Sequence, residues 1–189
     1  MRIGIVAAEP SGDTLGAGLM QAIRGIHPDA AFEGIGGPQM LEQGMDNWFP
    51  MEKLSVMGLV EVLKHLPELL GIRRELAKRW RQAPPDLFIG VDAPDFNLGL
   101  ETRLRRQGVA TVHYVCPSVW AWREKRVGKI RQAADLVLSI FPFEKDFLAG
   151  HGIKASYVGH PLAQTFPLPA DKASSRAALS LTAEQPVLA

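Results

Sequence analysis

The 189-residue chain is poor in several things, and each shortage excludes a class of protein. It has a single cysteine, Cys116, so no disulfide can close within it, and that usage suits a reducing compartment. Its net charge is only +1, so there is no global basic field to gather nucleic acid. No apolar run reaches the ~18–20 residues a membrane span needs. The opening MRIGIVAAEPSGD turns acidic at Glu9 and Asp13 too soon for a signal peptide. It reads as a first strand, and a cytoplasmic address is expected. There is no internal repeat and no low-complexity tract.

What is present is an ordinary globular composition, 47% apolar and 22% charged. Apolar runs alternate with stretches of helical periodicity. Strands are expected at 2–7, 31–35, 86–91, 110–115, 136–140 and 156–159. Helices are expected at 14–26, 57–82, 96–107, 123–133 and 144–149, the second interrupted near Pro67 and Gly71. This order predicts an α/β fold, a Rossmann-like doubly wound parallel sheet with crossover helices. A proline-rich linker at 161–169 leads to a helix at 171–181 and the start of another strand at 186. The expected organisation is a first domain over 1–160, with 161–189 as linker and the beginning of a second.

The segment DLFIGVDAPDFN at 86–97 is the most telling. A buried-strand run ends in Asp92, Asp95 and Asn97, and the carboxyl edge of a parallel sheet is where such folds bind ligands. Asp95 precedes a helical pattern and reads as its cap, whereas no helix start needs Asp92. An acid there can take a proton from a ligand hydroxyl. Asn97 could cap or bind ligand. In the first loop, Glu9, Ser11, Gly12 and Asp13 have neither G-x-G-x-x-G nor P-loop spacing. The two acids stand where a phosphate would want backbone N–H groups, which disfavours a dinucleotide and favours a hydroxyl-rich ligand such as a sugar. Ser11 or Asp13 could equally cap the helix.

Other segments have two readings. In HYVCPSVWAWR at 113–123, Trp120 and Trp122 suit a sugar ring, an acyl chain or a plain core. His113 lies inside a strand and reads as structural; Cys116 has no evident base and is not expected to be a nucleophile. Arg123, Lys125, Arg126, Lys129 and Arg131 form either a solvated face or a seat for an anionic partner. Val60, Val62, Leu63, Leu66, Leu69 and Leu70 cover more of their helix than one buried face uses, and basic residues follow. The excess points to a lipid or membrane contact. His160 stands in Val158-Gly159-His160-Pro161, where it could touch ligand or merely line a rim.

Taken together, AEPSGDTLGAGLM, FEGIGGPQM, LSVMGLVEVL, DLFIGVDAPDFN, HYVCPSVWAWREKRV, FPFEK and YVGHPLA closely resemble the bacterial lipid-A-disaccharide synthases, specifically their N-terminal half. Ala8 and Cys116 depart from residues common there, glycine and serine. The resemblance implies a GT-B glycosyltransferase (family 19), two Rossmann-like domains around a cleft. The implied reaction moves 2,3-diacylglucosamine from UDP-2,3-diacylglucosamine to lipid X, releasing UDP and giving the β-1,6-linked disaccharide 1-phosphate. It inverts the anomeric centre and needs no metal or cofactor. Asp92 matches the family's proposed base, and Glu9 a second important acid. Ser11, Gly12, Asp13, Asn97, Trp120, Arg123 and His160 are then the expected substrate contacts. The apolar helix would sit on the phospholipid surface of a Gram-negative inner membrane. No nucleic-acid partner is expected, and a homodimer is compatible. This chain alone is expected to be inactive, lacking a UDP-binding half. The rivals are a lipid-binding module without activity and another GT-B enzyme, such as a UDP-N-acetylglucosamine epimerase.

Overall fold

A computed structural model describes residues 1–55, 59–122, 126–164, 169–182 and 184–188. The chain divides into two compact units, Met1–Gly159 and His160–Ala189. The first contains β1 (Arg2–Ala7), α1 (Pro10–Ile26), β2 (Ala31–Ile35), α2 (Pro38–Glu42), β3 (Asp46–Asn47), α3 (Leu59–Gln82), β4 (Leu87–Val91) and α4 (Pro94–Arg105). It continues with β5 (Ala110–Tyr114), α5 (Val119–Trp122), α6 (Val127–Ala133), β6 (Leu136–Ser139), α7 (Pro142–Gly150) and β7 (Ala155–Tyr157). The second unit carries α8 (Lys172–Ala178), capped by Asp171, whose Oδ1 accepts from the Ser174 N–H at 3.0 Å. The strand expected at 186 is not formed among the described residues.

The strands make one parallel sheet in the order β3-β2-β1-β4-β5-β6-β7. After β1 the chain moves outward to β2 and β3, then returns through α3 to place β4 on the other side of β1. Ala7 pairs with Val91 at the carboxyl ends of these two strands. The reversal between β1 and β4 is the topological switch, where the loops leaving adjacent strands turn away from each other and open a crevice.

Side-chain alternation along the strands fills both faces. Ile3, Ile5, Ala7, Ile89 and Val91 pack with Met20 of α1 and Met40 of α2. Val6 and Phe88 pack on the opposite face with Ile72, Leu76 and Trp80 of α3 and Leu100 and Leu104 of α4. The four-residue spacing of Ile72, Leu76 and Trp80 drives α3 onto the sheet, and the helix continues through Pro67 and Gly71 without the expected interruption. Trp80 crosses β1 at Gly4, where a Cβ would lie 2.9 Å from its ring, and its Nε1–H donates to Glu33 Oε1 at 2.9 Å. Val127, Ile130, Val137 and Leu148 form a third cluster beneath β6.

Helix starts are where the structure departs most from the sequence reading. Four helices, α1, α2, α4 and α7, open on a proline at their first turn, so α1 begins at Pro10 and α4 at Pro94. Proline fits there because the first N–H of a helix has no intrahelical partner and its φ is already helical. The cap position of α1 is therefore Glu9, not Ser11 or Asp13, and that of α4 is Ala93, not Asp95.

Candidate active site

Asp92 follows β4 directly, and both it and Ala93 have left-handed backbones, with φ of +50° and +44°. Neither is glycine, so each residue costs about 1–2 kcal/mol, a strain kept only where surrounding bonds impose it. Those bonds are on hand. The Asp92 N–H donates to the Tyr114 carbonyl at 2.8 Å, and the Asp92 carbonyl accepts from Asn97 Nδ2 at 2.9 Å. The same amide reaches the carbonyls of Val6 at 3.2 Å and Val91 at 3.3 Å. Asn97 thus ties the ends of β1 and β4 to the turn that carries Asp92, whose side chain remains partly exposed.

Behind this turn the interior is polar. Gly90 pairs with His113 across β4 and β5, and Glu101 of α4 faces them. His113 Nδ1 and Glu101 Oε1 lie 2.7 Å apart, with both side chains fully buried. A Cβ on Gly90 would collide with Glu101 and come within 2.9 Å of Asn97 Cβ, so glycine gives the pair its room. Burial alone would push the His113 pKa down. The Glu101 carboxylate against the ring, helped by the Asp92 charge, overcomes it and holds the pKa above the ordinary value.

Glu9 stands two residues beyond β1, across the switch from Asp92. Its carbonyl accepts the Asp13 N–H at 2.9 Å, but its side chain makes no capping bond and is exposed. It lines a pocket of about 420 Å³ together with Leu66, Leu69 and Leu70 of α3, Phe96 of α4 and Arg73. The pocket is bounded by Ala93, the residue after Asp92. The leucines singled out as surplus to the core therefore form an apolar wall beside an acid, and Leu66 remains 41% exposed. The side chains of Val60, Val62 and Leu63 lie outside the described residues.

Two expected ligand contacts, Asp13 and Asn97, are buried and bonded to backbone. Asp13 is buried, and its carboxylate accepts the N–H groups of Gly37 at 2.9 Å, Gln39 at 3.0 Å and Met40 at 3.0 Å. It closes the start of α2 from α1 instead of facing a ligand. Asn97 is likewise buried, its Nδ2 engaged with three backbone carbonyls and its Oδ1 without a partner among the described residues. Ser11 is exposed on the first turn of α1, and Gly12 lies buried against Ala7 and Val91. Trp120 is half exposed; its ring meets Phe143 edge-on at 5.0 Å and its Nε1–H donates to Glu144 Oε1 at 3.3 Å. It stands with Phe141 and Phe143 in an aromatic group of its own. His160 belongs to the second unit, where its Nδ1 accepts the Leu162 N–H at 3.2 Å. Arg123 and the Trp122 side chain lie outside the described residues. Burial and the neighbouring Glu144 push the Cys116 thiol up to about 12, so it is no nucleophile.

A family profile described as lipid-A-disaccharide synthetase matches residues 3–189. The chain belongs to this family. It is 59% identical over 189 residues to the lipid-A-disaccharide synthase of Pseudomonas aeruginosa (strain LESB58), covering 100% of this chain and 50% of that protein. It is 57% identical to that of Azotobacter vinelandii, again over 100% of this chain and 50% of the relative. The chain therefore spans about half the length of the curated relatives it matches. The crystal structure of Anabaena Alr3699/HepE in complex with UDP and glucose has a similar fold, with a TM-score of 0.51 at 14% identity, covering 95% of this chain and 50% of that one. In this lipid-A-disaccharide synthetase family member, the Rossmann-like switch brings the Glu9 and Asp92 loops to one crevice. Sequence reasoning met Arg73 only as one of the basic residues after the apolar run, His113 only as structural and Phe96 only as part of a helical pattern; it missed Glu101 and the pairing of Glu101 with His113.

Proposed function

We propose that this chain is the acceptor-side half of a GT-B glycosyltransferase of lipid A biosynthesis, acting on UDP-2,3-diacylglucosamine and lipid X. Membership of the family supports the reaction class. One observation carries the roles: the two loops at the switch offer Glu9 and Asp92 beside an apolar pocket, while Asp13 and Asn97 are consumed in holding structure. In this reading the Asp92 carboxylate takes the proton of the acceptor 6-hydroxyl as that oxygen bonds to C1 of the donor sugar. The C1–O bond to UDP breaks, UDP leaves with the electron pair, and the anomeric centre inverts. Glu9 holds the acceptor hydroxyls, and the leucine wall of α3 receives an acyl chain. The same leucines let the enzyme work on the phospholipid surface of the inner membrane without crossing it, as a peripheral protein.

In the full-length enzyme, Asp92→Asn should lower turnover of the two substrates by about 10²–10⁴-fold, the range for losing a general base. The near-ultraviolet circular dichroism should not change. A near-normal rate would remove Asp92 from the role. Binding of lipid X with no transfer by the full-length wild type would favour the lipid-binding module instead.

A further inference from the structure

We infer that the groove between α4 and α6 is a binding site for a phosphate monoester dianion, the one carried by the acylated acceptor. The groove measures about 390 Å³ and is lined by Arg73 of α3, Arg103 and Arg106 of α4 and its end, and Arg126 and Lys129 of α6 and its start. Among the described residues only Arg126 has a carboxylate partner, Asp95 at 3.2 Å, and that carboxylate is 83% exposed. Neighbouring Arg105 shows what a satisfied arginine looks like here. Its Nε meets Asp135 Oδ1 at 2.7 Å and its Nη1 donates to the Arg131 carbonyl at 2.7 Å.

Arg73 is one of the cations without a carboxylate partner among the described residues. It is partly buried, and the charges bearing on it are Arg103 and Arg74, both repulsive. Desolvation first, then this repulsion, lowers its pKa. It lies against α4: its Nη1 donates to the Asp95 carbonyl at 3.5 Å, and a Cβ at Gly99 would lie only 2.7 Å from the same nitrogen. A half-buried guanidinium among like charges is a state that a bound dianion relieves. Phosphate suits it, carrying close to two charges at neutral pH and acceptor oxygens that arginine forks match.

Place identifies the carrier. Arg73, Pro94 and Asp95 line both this groove and the apolar pocket beside Glu9, so the two adjoin through the Arg73 side chain. One ligand with an acyl chain and a phosphate would fill both at once. The carrier's identity rests on the transferase reading; the anion site itself does not.

The test uses the full-length enzyme in neutral-detergent micelles free of anionic phospholipid. The double variant Arg103→Gln/Arg106→Gln should raise the KM for lipid X by about tenfold or more, the scale of losing a charge-assisted contact. Gly99→Ala, which displaces Arg73 without removing a charge, should raise the same KM. With 2,3-diacylglucosamine lacking the phosphate, the penalty should vanish. An unchanged KM for lipid X together with weakened binding to phosphatidylglycerol vesicles would overturn the proposal, because the groove would then serve bilayer headgroups. Titration of glucosamine 1-phosphate followed by amide NMR supplies a readout independent of turnover. Shifts at Gly99, Thr102 and Arg103 that the double variant loses are expected, and their absence overturns the site. An enzyme that binds glucosamine 1-phosphate in the groove yet transfers nothing would sink the transferase reading alone.

Discussion

Replacing Glu101 by glutamine removes one charge and almost no volume from the polar interior behind Asp92, so its effect isolates the electrostatics of the His113 pair. The charged groups bearing on His113 are Glu101 from α4 and Asp92 after β4. In the wild type the folded-state pKa of His113 lies above the unfolded value of 6.5. The folded protein therefore keeps a proton that the unfolded chain has released. Stability from the pair is whole below pH 6.5 and falls by about 1.4 kcal/mol per pH unit as pH rises towards the folded pKa. In Glu101→Gln, burial remains and its main counterweight is gone, so the His113 pKa should drop below 6.5. Stability of the variant should then rise with pH up to that value and level off. At mildly acidic pH the substitution should cost about 3–5 kcal/mol, the scale for breaking a buried pair, and the gap should narrow as pH increases. Urea unfolding of both proteins between about pH 5.5 and about pH 8.5 measures this, with shared surface groups cancelling in the difference. A difference that stays constant across the range would mean that the two side chains form a neutral hydrogen bond and not a charged pair.

Asp13→Ala strips three N–H acceptors from the start of α2 and should destabilise the chain by about 2–4 kcal/mol in urea melts. A loss below about 0.5 kcal/mol would make those bonds incidental. Leu66→Glu/Leu69→Glu should weaken co-sedimentation with phospholipid vesicles about tenfold while leaving the melting temperature close to wild type, since both side chains stand outside the sheet-facing core. Undiminished vesicle binding would remove α3 as the membrane contact. With its thiol at about 12 and buried, Cys116 should resist iodoacetamide at mildly alkaline pH in the folded protein and react in urea. Rapid labelling of the native chain would contradict its burial.

Six of the seven strands were legible because each is a compact apolar run stopped by polar residues or glycine, β4 with Asp92 the clearest case; β3 was missed because Asp46 and Asn47 are polar and only their pairing with β2 makes them a strand. Helix starts were not. The prolines at 10, 38, 94 and 142 punctuate a sequence as turns do, and only three-dimensional context makes them first-turn residues. Asp13 shows a deeper reason. As an acid beside a glycine in a strand-to-helix loop it has the look of a ligand contact, but its acceptor work is done for Gly37, Gln39 and Met40, far along the chain. His113 reads correctly as structural, yet its partner Glu101 sits on another element and no local spacing links them. Arg126 and Lys129 read as either a solvated face or a seat for an anion, but their meeting with Arg73, Arg103 and Arg106 does not show in the sequence, since three separate helical elements contribute them.

The interior position of β1, between β2 and β4, bears on how the chain is made. Synthesis delivers β1 before the strands that pair with it, and one of its two neighbours, β4, arrives only after β2, β3 and the whole of α3. Until Leu87–Val91 has left the ribosome, the Ile3-to-Ala7 edge has no partner, though β2 can already zip onto the other side. An unpaired, uncharged parallel edge is the usual seed of aggregation during slow, non-local folding. Nascent chains stalled before β4 should therefore engage holdase chaperones, and those stalled well after it should not.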